Sequence, residues 1–63
     1  MSAAQKLDDY IKTSGVKPGF LADQLGIQYV TLYHIKSGRS LPSLALAVRI
    51  EQVAGIAPRE WIE

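Results

Sequence analysis

The stretch Pro18-Gly19-Phe20-Leu21-Ala22-Asp23-Gln24-Leu25-Gly26-Ile27-Gln28-Tyr29-Val30-Thr31-Leu32-Tyr33-His34-Ile35-Lys36-Ser37-Gly38 decides how this 63-residue chain folds. Proline suits the first turn of a helix, where its missing N–H has no partner to lose, so Pro18 opens one. Leu21, Ala22 and Leu25 recur at the spacing of one buried stripe, and Gly26 supplies the left-handed residue that ends the helix. A second helix is expected from about Gln28 to Ser37, with Leu32 and Ile35 on its inner side and a stop at Gly38. The joint between Leu25 and Gln28 is too short for antiparallel helices, so the two cross steeply. Ala22 is small where they must approach, and Ile27 fills the corner between them.

The same punctuation recurs on either side. Ser2-Ala3-Ala4-Gln5 fits a capping box, Leu7 and Ile11 with Tyr10 beside them form a stripe, and Gly15 closes a helix. After the loop Arg39-Ser40-Leu41-Pro42, Ser43 is a good N-cap for a helix that turns Leu46, Ala47, Ile50 and Val53 inward and ends at Gly55. Pro58 begins a last short turn through Trp61 and Ile62. No segment alternates with period two, so the spacing predicts an all-α fold and one domain over residues 1–63. A domain of this size buries about 60% of the surface its unfolded chain exposes, and its core supplies about 3–5 kcal/mol.

Composition removes several classes of function. The chain has no cysteine, which excludes a disulfide framework, a Cys-based zinc site and a thiol nucleophile, and leaves the cytoplasm as the expected compartment. Residues 1–9 lack the apolar run of a signal peptide. The apolar stretch Leu41 to Val48 is far short of the ~20 residues that span a bilayer, so no membrane is expected. Catalysis is not expected either. The one histidine has no acidic partner at i±3 or i±4, Asp8 and Asp9 point to different sides of a helix, and no phosphate loop or H-E-x-x-H is present. A chain this small is expected to have no room for a pocket of ~300 Å³. No cofactor, metal or small-molecule ligand is implied.

The net charge of +1 hides an uneven distribution. Between residues 10 and 50, Lys12, Lys17, Lys36, Arg39 and Arg49 face Asp23 alone, while both ends of the chain are acidic. On the helix after Gly26, a rotation of 100° per residue puts Val30, Tyr33 and His34 opposite Leu32 and Ile35, with Tyr29 flanking them. That uncharged outer face offers a hydroxyl, an imidazole and apolar surface, a set suited to base edges in a major groove. Lys17, Lys36 and Arg39, with Ser40 and Ser43 as neutral donors, are the candidate phosphate contacts around it.

The run Gly15 to Ile27, with its Leu21-Ala22-Asp23-Gln24-Leu25-Gly26 core, resembles the second helix and turn of Cro/cI-type (XRE-type) helix-turn-helix repressors. Tyr29 to Gly38 is similar to their recognition helix, with Ser37-Gly38-Arg39 at its end. Leu41-Pro42-Ser43, Ala47-Val48-Arg49-Ile50-Glu51 and Pro58-Arg59-Glu60-Trp61-Ile62 resemble the later segments of small bacterial and prophage members. The resemblance covers about residues 5 to 62. It implies a compact five-helix, lambda-repressor-like domain with a helix-turn-helix at helices 2–3. It further implies a dimer on a partly palindromic double-stranded operator in a bacterial cytoplasm or nucleoid. Carried over by position, Gln28, Tyr29, Val30 and His34 are the base-reading residues, Tyr33 lies next to them, and Arg39 falls at a backbone-contact position.

Three positions depart from that pattern. Pro18 stands where many members have a phosphate-binding Gln, leaving Lys17 beside it for that task. Lys36 replaces a usual Glu, so the family's Glu–Arg tie to the first helix is not expected. Gln28 replaces a Ser or Thr cap.

On the fourth helix Leu44 and Val48 form a second apolar stripe, to be covered either by the loop through Leu41 or by a partner chain. Leu44, Val48, Ile56 and Trp61 are accordingly the candidate homodimer interface. The rival to a DNA-binding regulator is a protein-binding module, antitoxin-like or an anti-repressor partner, that keeps the fold and uses its apolar surface on another protein.

Overall fold

A computed structural model describes residues 2–62; Met1 and Glu63 lie outside the described residues. Four α-helices follow in order, α1 Ala3–Ser14, α2 Pro18–Leu25, α3 Tyr29–Lys36 and α4 Leu44–Ala54, and a 3-10 turn, Pro58–Trp61, closes the chain. No strand occurs among the described residues. The protein is all-α. The five-helix expectation is corrected at the last element, a single four-residue 3-10 turn.

Local chemistry sets each boundary. Ser2 and Ser43 cap α1 and α4, their hydroxyl oxygens accepting from the backbone N–H of Gln5 and Leu46, each at 3.2 Å. Pro18 sits at the start of α2 as expected. The ends of α2 and α3 repeat one motif. At α2 the N–H of Gly26 donates to the Asp23 carbonyl at 3.1 Å and that of Ile27 to Ala22 at 3.0 Å. At α3 the N–H of Gly38 donates to Ile35 at 3.2 Å and that of Arg39 to His34 at 2.9 Å. Both are Schellman motifs, and both need the left-handed backbone that Gly26 (φ 72°) and Gly38 (φ 83°) adopt without a Cβ clash. The helix expected over about Gln28–Ser37 is shorter by one residue at each end, because Gln28 and Ser37 are its caps.

One core joins all five elements: Ala3, Leu7 and Ile11 of α1, Leu21, Ala22 and Leu25 of α2, Leu32 and Ile35 of α3, Ala47 and Ile50 of α4, then Ile56 and Trp61. Ile27, Leu46 and Val53 pack against it half-buried, as their spacing predicts. The Cα radius of gyration, 10.2 Å, is close to the ~10.6 Å that chain length predicts for a compact domain. No helix among the described residues is long and apolar enough to cross a membrane.

Polar ties reinforce the packing where helices meet. Asp8 of α1 accepts from Lys12 at 2.9 Å and from Lys36 of α3 at 3.3 Å. Lys6 pairs with Glu60, whose other carboxylate oxygen accepts from the backbone N–H of Ala57 at 2.9 Å and so fixes the start of the closing turn. Arg49 of α4 donates to the carbonyl of Leu25 at 3.4 Å, placing a cation at the negative end of α2.

Candidate nucleic-acid interface

The inner side of α3 is held by Leu32 and Ile35, both fully buried, and this fixes which residues turn outward. Tyr29, Val30 and Tyr33 are 54, 50 and 44% exposed, an unusual share of solvent for large apolar side chains on one eight-residue helix. His34 is half-buried beside them, its ring centroid 6.2 Å from that of Tyr33 and tilted by 57°. Gln28 is exposed at the N-cap and its side chain makes no capping hydrogen bond, which leaves the amide free to meet another group. The five candidate base-reading residues thus stand together on and at the start of α3, with no carboxylate among them.

The candidate phosphate contacts separate into two groups. Lys17, the N-cap of α2, and Arg39, just past Gly38, are exposed and make no ion pair among the described residues. The root of Arg39 is fixed: the His34 carbonyl accepts from the backbone N–H of Arg39, from that of Ser40 at 3.3 Å and from the Ser37 hydroxyl at 3.1 Å. Ser40 is exposed next to it, and Ser43 is exposed with its oxygen used as the α4 cap.

Lys36 belongs elsewhere. Its side chain is only 21% exposed, its ammonium is bound to Asp8, and it lies 5.4 Å from the centre of the Tyr33 ring, within cation–π range. Held by a carboxylate and a ring face, this ammonium braces α3 against α1. A different tie, Lys36 to Asp8, joins the third helix to the first. Hydrogen bonds from Lys12 and then Lys36 hold the Asp8 carboxyl below its ordinary range.

A second exposed apolar region lies on the α4 side. Leu41, Leu44 and Ile62 are 67, 75 and 81% exposed, so the loop through Leu41 does not cover the second stripe of α4. With Pro42, Pro58 and Trp61 they line an open groove of about 380 Å³, larger than a chain this small is expected to hold. Val48 is exposed on the same helix. Ile56 and Trp61 are corrected: at 3 and 7% exposure they are parts of this chain's own core, and only Leu44 and Val48 remain as surface candidates for an interface. The indole Nε1 of Trp61 is buried there without a hydrogen-bond partner.

Sequence reasoning missed three of these placements. Arg49 and Glu60 act on backbone groups, and Lys36 on a residue 28 positions away. The i, i+4 spacing of Asp8 and Lys12 was the one local sign that an acidic group is anchored on that face of α1. Among the described residues no three His, Cys, Asp or Glu lie together as a metal site. No protein-family model, curated protein or solved structure matches this chain.

Proposed function

We propose that this chain is a sequence-specific double-stranded DNA-binding transcriptional regulator of the Cro/cI type. In this reading α2 and α3 act as a helix-turn-helix and α3 enters the major groove. The observation that carries it is the outer side of α3: exposed Tyr29, Val30 and Tyr33 beside Gln28 and His34, none of them acidic. The major groove, about 12 Å wide, admits one helix and displays donors, acceptors and thymine methyl groups to it. Lys17 and Arg39, exposed cations at the start of α2 and just past the end of α3 with no ion pair among the described residues, would hold the backbone, with Ser40 as a neutral donor. Repression follows from occupancy: a domain seated on an operator that overlaps a promoter excludes polymerase.

A homodimer belongs to this reading. The eight residues of α3 extend about 12 Å, enough for only a few base pairs, and two-fold pairing doubles the sequence read. The groove between Leu41, Leu44 and Ile62 supplies an apolar surface for that pairing. The same groove is the observation that favours the rival, a module that binds another protein in the manner of an antitoxin or anti-repressor partner.

Salt separates the two. Duplex binding measured by fluorescence anisotropy should lose affinity steeply with salt, with a log–log slope of about −0.9 per phosphate neutralised. Arg39→Ala should weaken all sequences alike and shrink the slope by about 0.9, whereas His34→Ala should flatten the preference among sequences. Duplex affinity that neither salt nor these changes alter would sink the DNA reading and leave the protein-binding one.

A further inference from the structure

We infer that α3 recognises its half-site through the 5-methyl groups of thymine, with Val30 at the centre of the contact; the inference rests on the DNA-binding function proposed above. It starts from what α3 lacks. Its sequence, Tyr29-Val30-Thr31-Leu32-Tyr33-His34-Ile35-Lys36, contains no Arg, Asn or Gln. Guanine is read most often by Arg or Lys at O6 and N7, and adenine by Asn or Gln at N6 and N7. The one cation of the helix, Lys36, is held by Asp8 at 3.3 Å and packed 5.4 Å from the Tyr33 ring centre, so its ammonium already has partners within this chain. The Gln28 amide stands at the N-cap, before the first turn.

Beside the two phenol hydroxyls and the His34 imidazole, what α3 presents is apolar surface. Val30 is half exposed and has no atom that can donate or accept a hydrogen bond. The flanking Tyr29 and Tyr33 carry rings whose bodies are apolar up to the hydroxyl. Among the groups displayed in the major groove only the thymine methyl matches such a surface. From Tyr29 to Tyr33 the helix rises about 6 Å, close to two base-pair steps of roughly 3.4 Å, so the contact spans two or three adjacent base pairs.

Substituting deoxyuridine for thymidine removes this methyl and leaves the hydrogen-bonding edge and the phosphates unchanged. A duplex enriched from a randomised pool would be resynthesised with deoxyuridine at each thymidine of the half-site in turn. At a contacted position affinity should fall about fourfold, the free energy of one buried methylene, while the salt slope stays constant. Val30→Ala, on an exposed side chain, should keep the helical circular dichroism of the parent, bind the thymidine duplex more weakly and erase the thymidine-to-deoxyuridine ratio at its position.

Equal affinity for the two duplexes, with sequence preference intact, would overturn the inference alone. A ratio that survives in Val30→Ala would overturn the assignment to Val30. Failure to enrich any duplex would fall on the DNA-binding function itself.

Discussion

Apart from Phe20 on α2, the large apolar side chains exposed among the described residues fall into two regions, and these differ in what surrounds them. On α3, Tyr29, Val30 and Tyr33 are interleaved with groups that carry heteroatoms, namely the Gln28 amide, two phenols and the His34 imidazole, and exposed Lys17 and Arg39 stand at the neighbouring helix ends. Around the α4 groove, Leu41, Pro42, Leu44, Pro58 and Ile62 offer almost nothing but hydrocarbon, with Arg59 at the edge. The first kind of surface suits a partner that is itself polar and charged, since each buried donor or acceptor needs a counterpart. The second suits another apolar surface, where area alone is favourable. Exposure by itself does not distinguish them; the chemistry of the neighbours does.

The strongest way to break this contrast is to remove the support beneath α3. Leu32→Ala deletes a fully buried side chain and should cost about 2–5 kcal/mol, comparable with the whole stability of about 3–5 kcal/mol expected for so small a core. Thermal melting followed by circular dichroism should show a chain largely unfolded at 25 °C. A well-folded Leu32→Ala variant would mean that the outer face does not depend on this anchor.

Next comes Leu44→Asp, which puts a charge in the groove and leaves α3 untouched. If the groove pairs two copies, the loss of a buried leucine contact, about 1.5–3 kcal/mol, weakens association tenfold or more in sedimentation equilibrium. Affinity for a single half-site should be preserved. An unchanged association constant would remove the groove from the dimer.

Gly26→Ala tests the joint that sets α3 against α2. At φ 72° a Cβ is strained, by about 1–2 kcal/mol, and it would also meet Nη1 of Arg49 at 2.9 Å. Thermal stability should fall by more than that strain, whereas Gly15→Ala, at φ 73° with open space around it, should show the backbone strain alone. Equal losses at the two sites would show that Arg49 yields freely.

The smallest effect is expected at Asp8. Hydrogen bonds from Lys12 and Lys36 lower its folded pKa, and those from Lys6 and the Ala57 N–H lower that of Glu60. Both groups therefore bind fewer protons folded than unfolded in acid. Their contribution is complete above the unfolded values of about 3.9 and 4.3 and disappears as pH falls through the lower folded values. Asp8→Asn should make the melting temperature less sensitive to pH below about 4 and slightly lower it at pH 7. Parallel pH profiles for the variant and parent would show that the brace contributes nothing.

Much of the architecture is legible from local signals. Helix ends announced by Ser2, Gly15, Pro18, Gly26, Ser43 and Gly55 are where their chemistry puts them, because a cap or a left-handed residue acts within one turn of the chain. The inward stripe of each helix was equally readable from spacing. Contacts between distant segments were not. Lys36 reads as a surface cation until Asp8 is seen opposite it, and Arg49 as a solvated one until α2 ends against it. Ile56 and Trp61 show the same limit from the apolar side: hydrophobicity says that a side chain is buried, not whether its own chain or a second copy does the burying.

The division of α3 into a buried half and a bare half makes its outward residues interchangeable. Positions 29 and 30 can be rewritten with little effect on folding, since exposed substitutions usually change stability by less than about 0.5 kcal/mol. Position 33 is less free, because the Tyr33 ring shares Lys36 with Asp8. New preferences would therefore arise most easily near the start of the helix, on a scaffold that need not change to accept them.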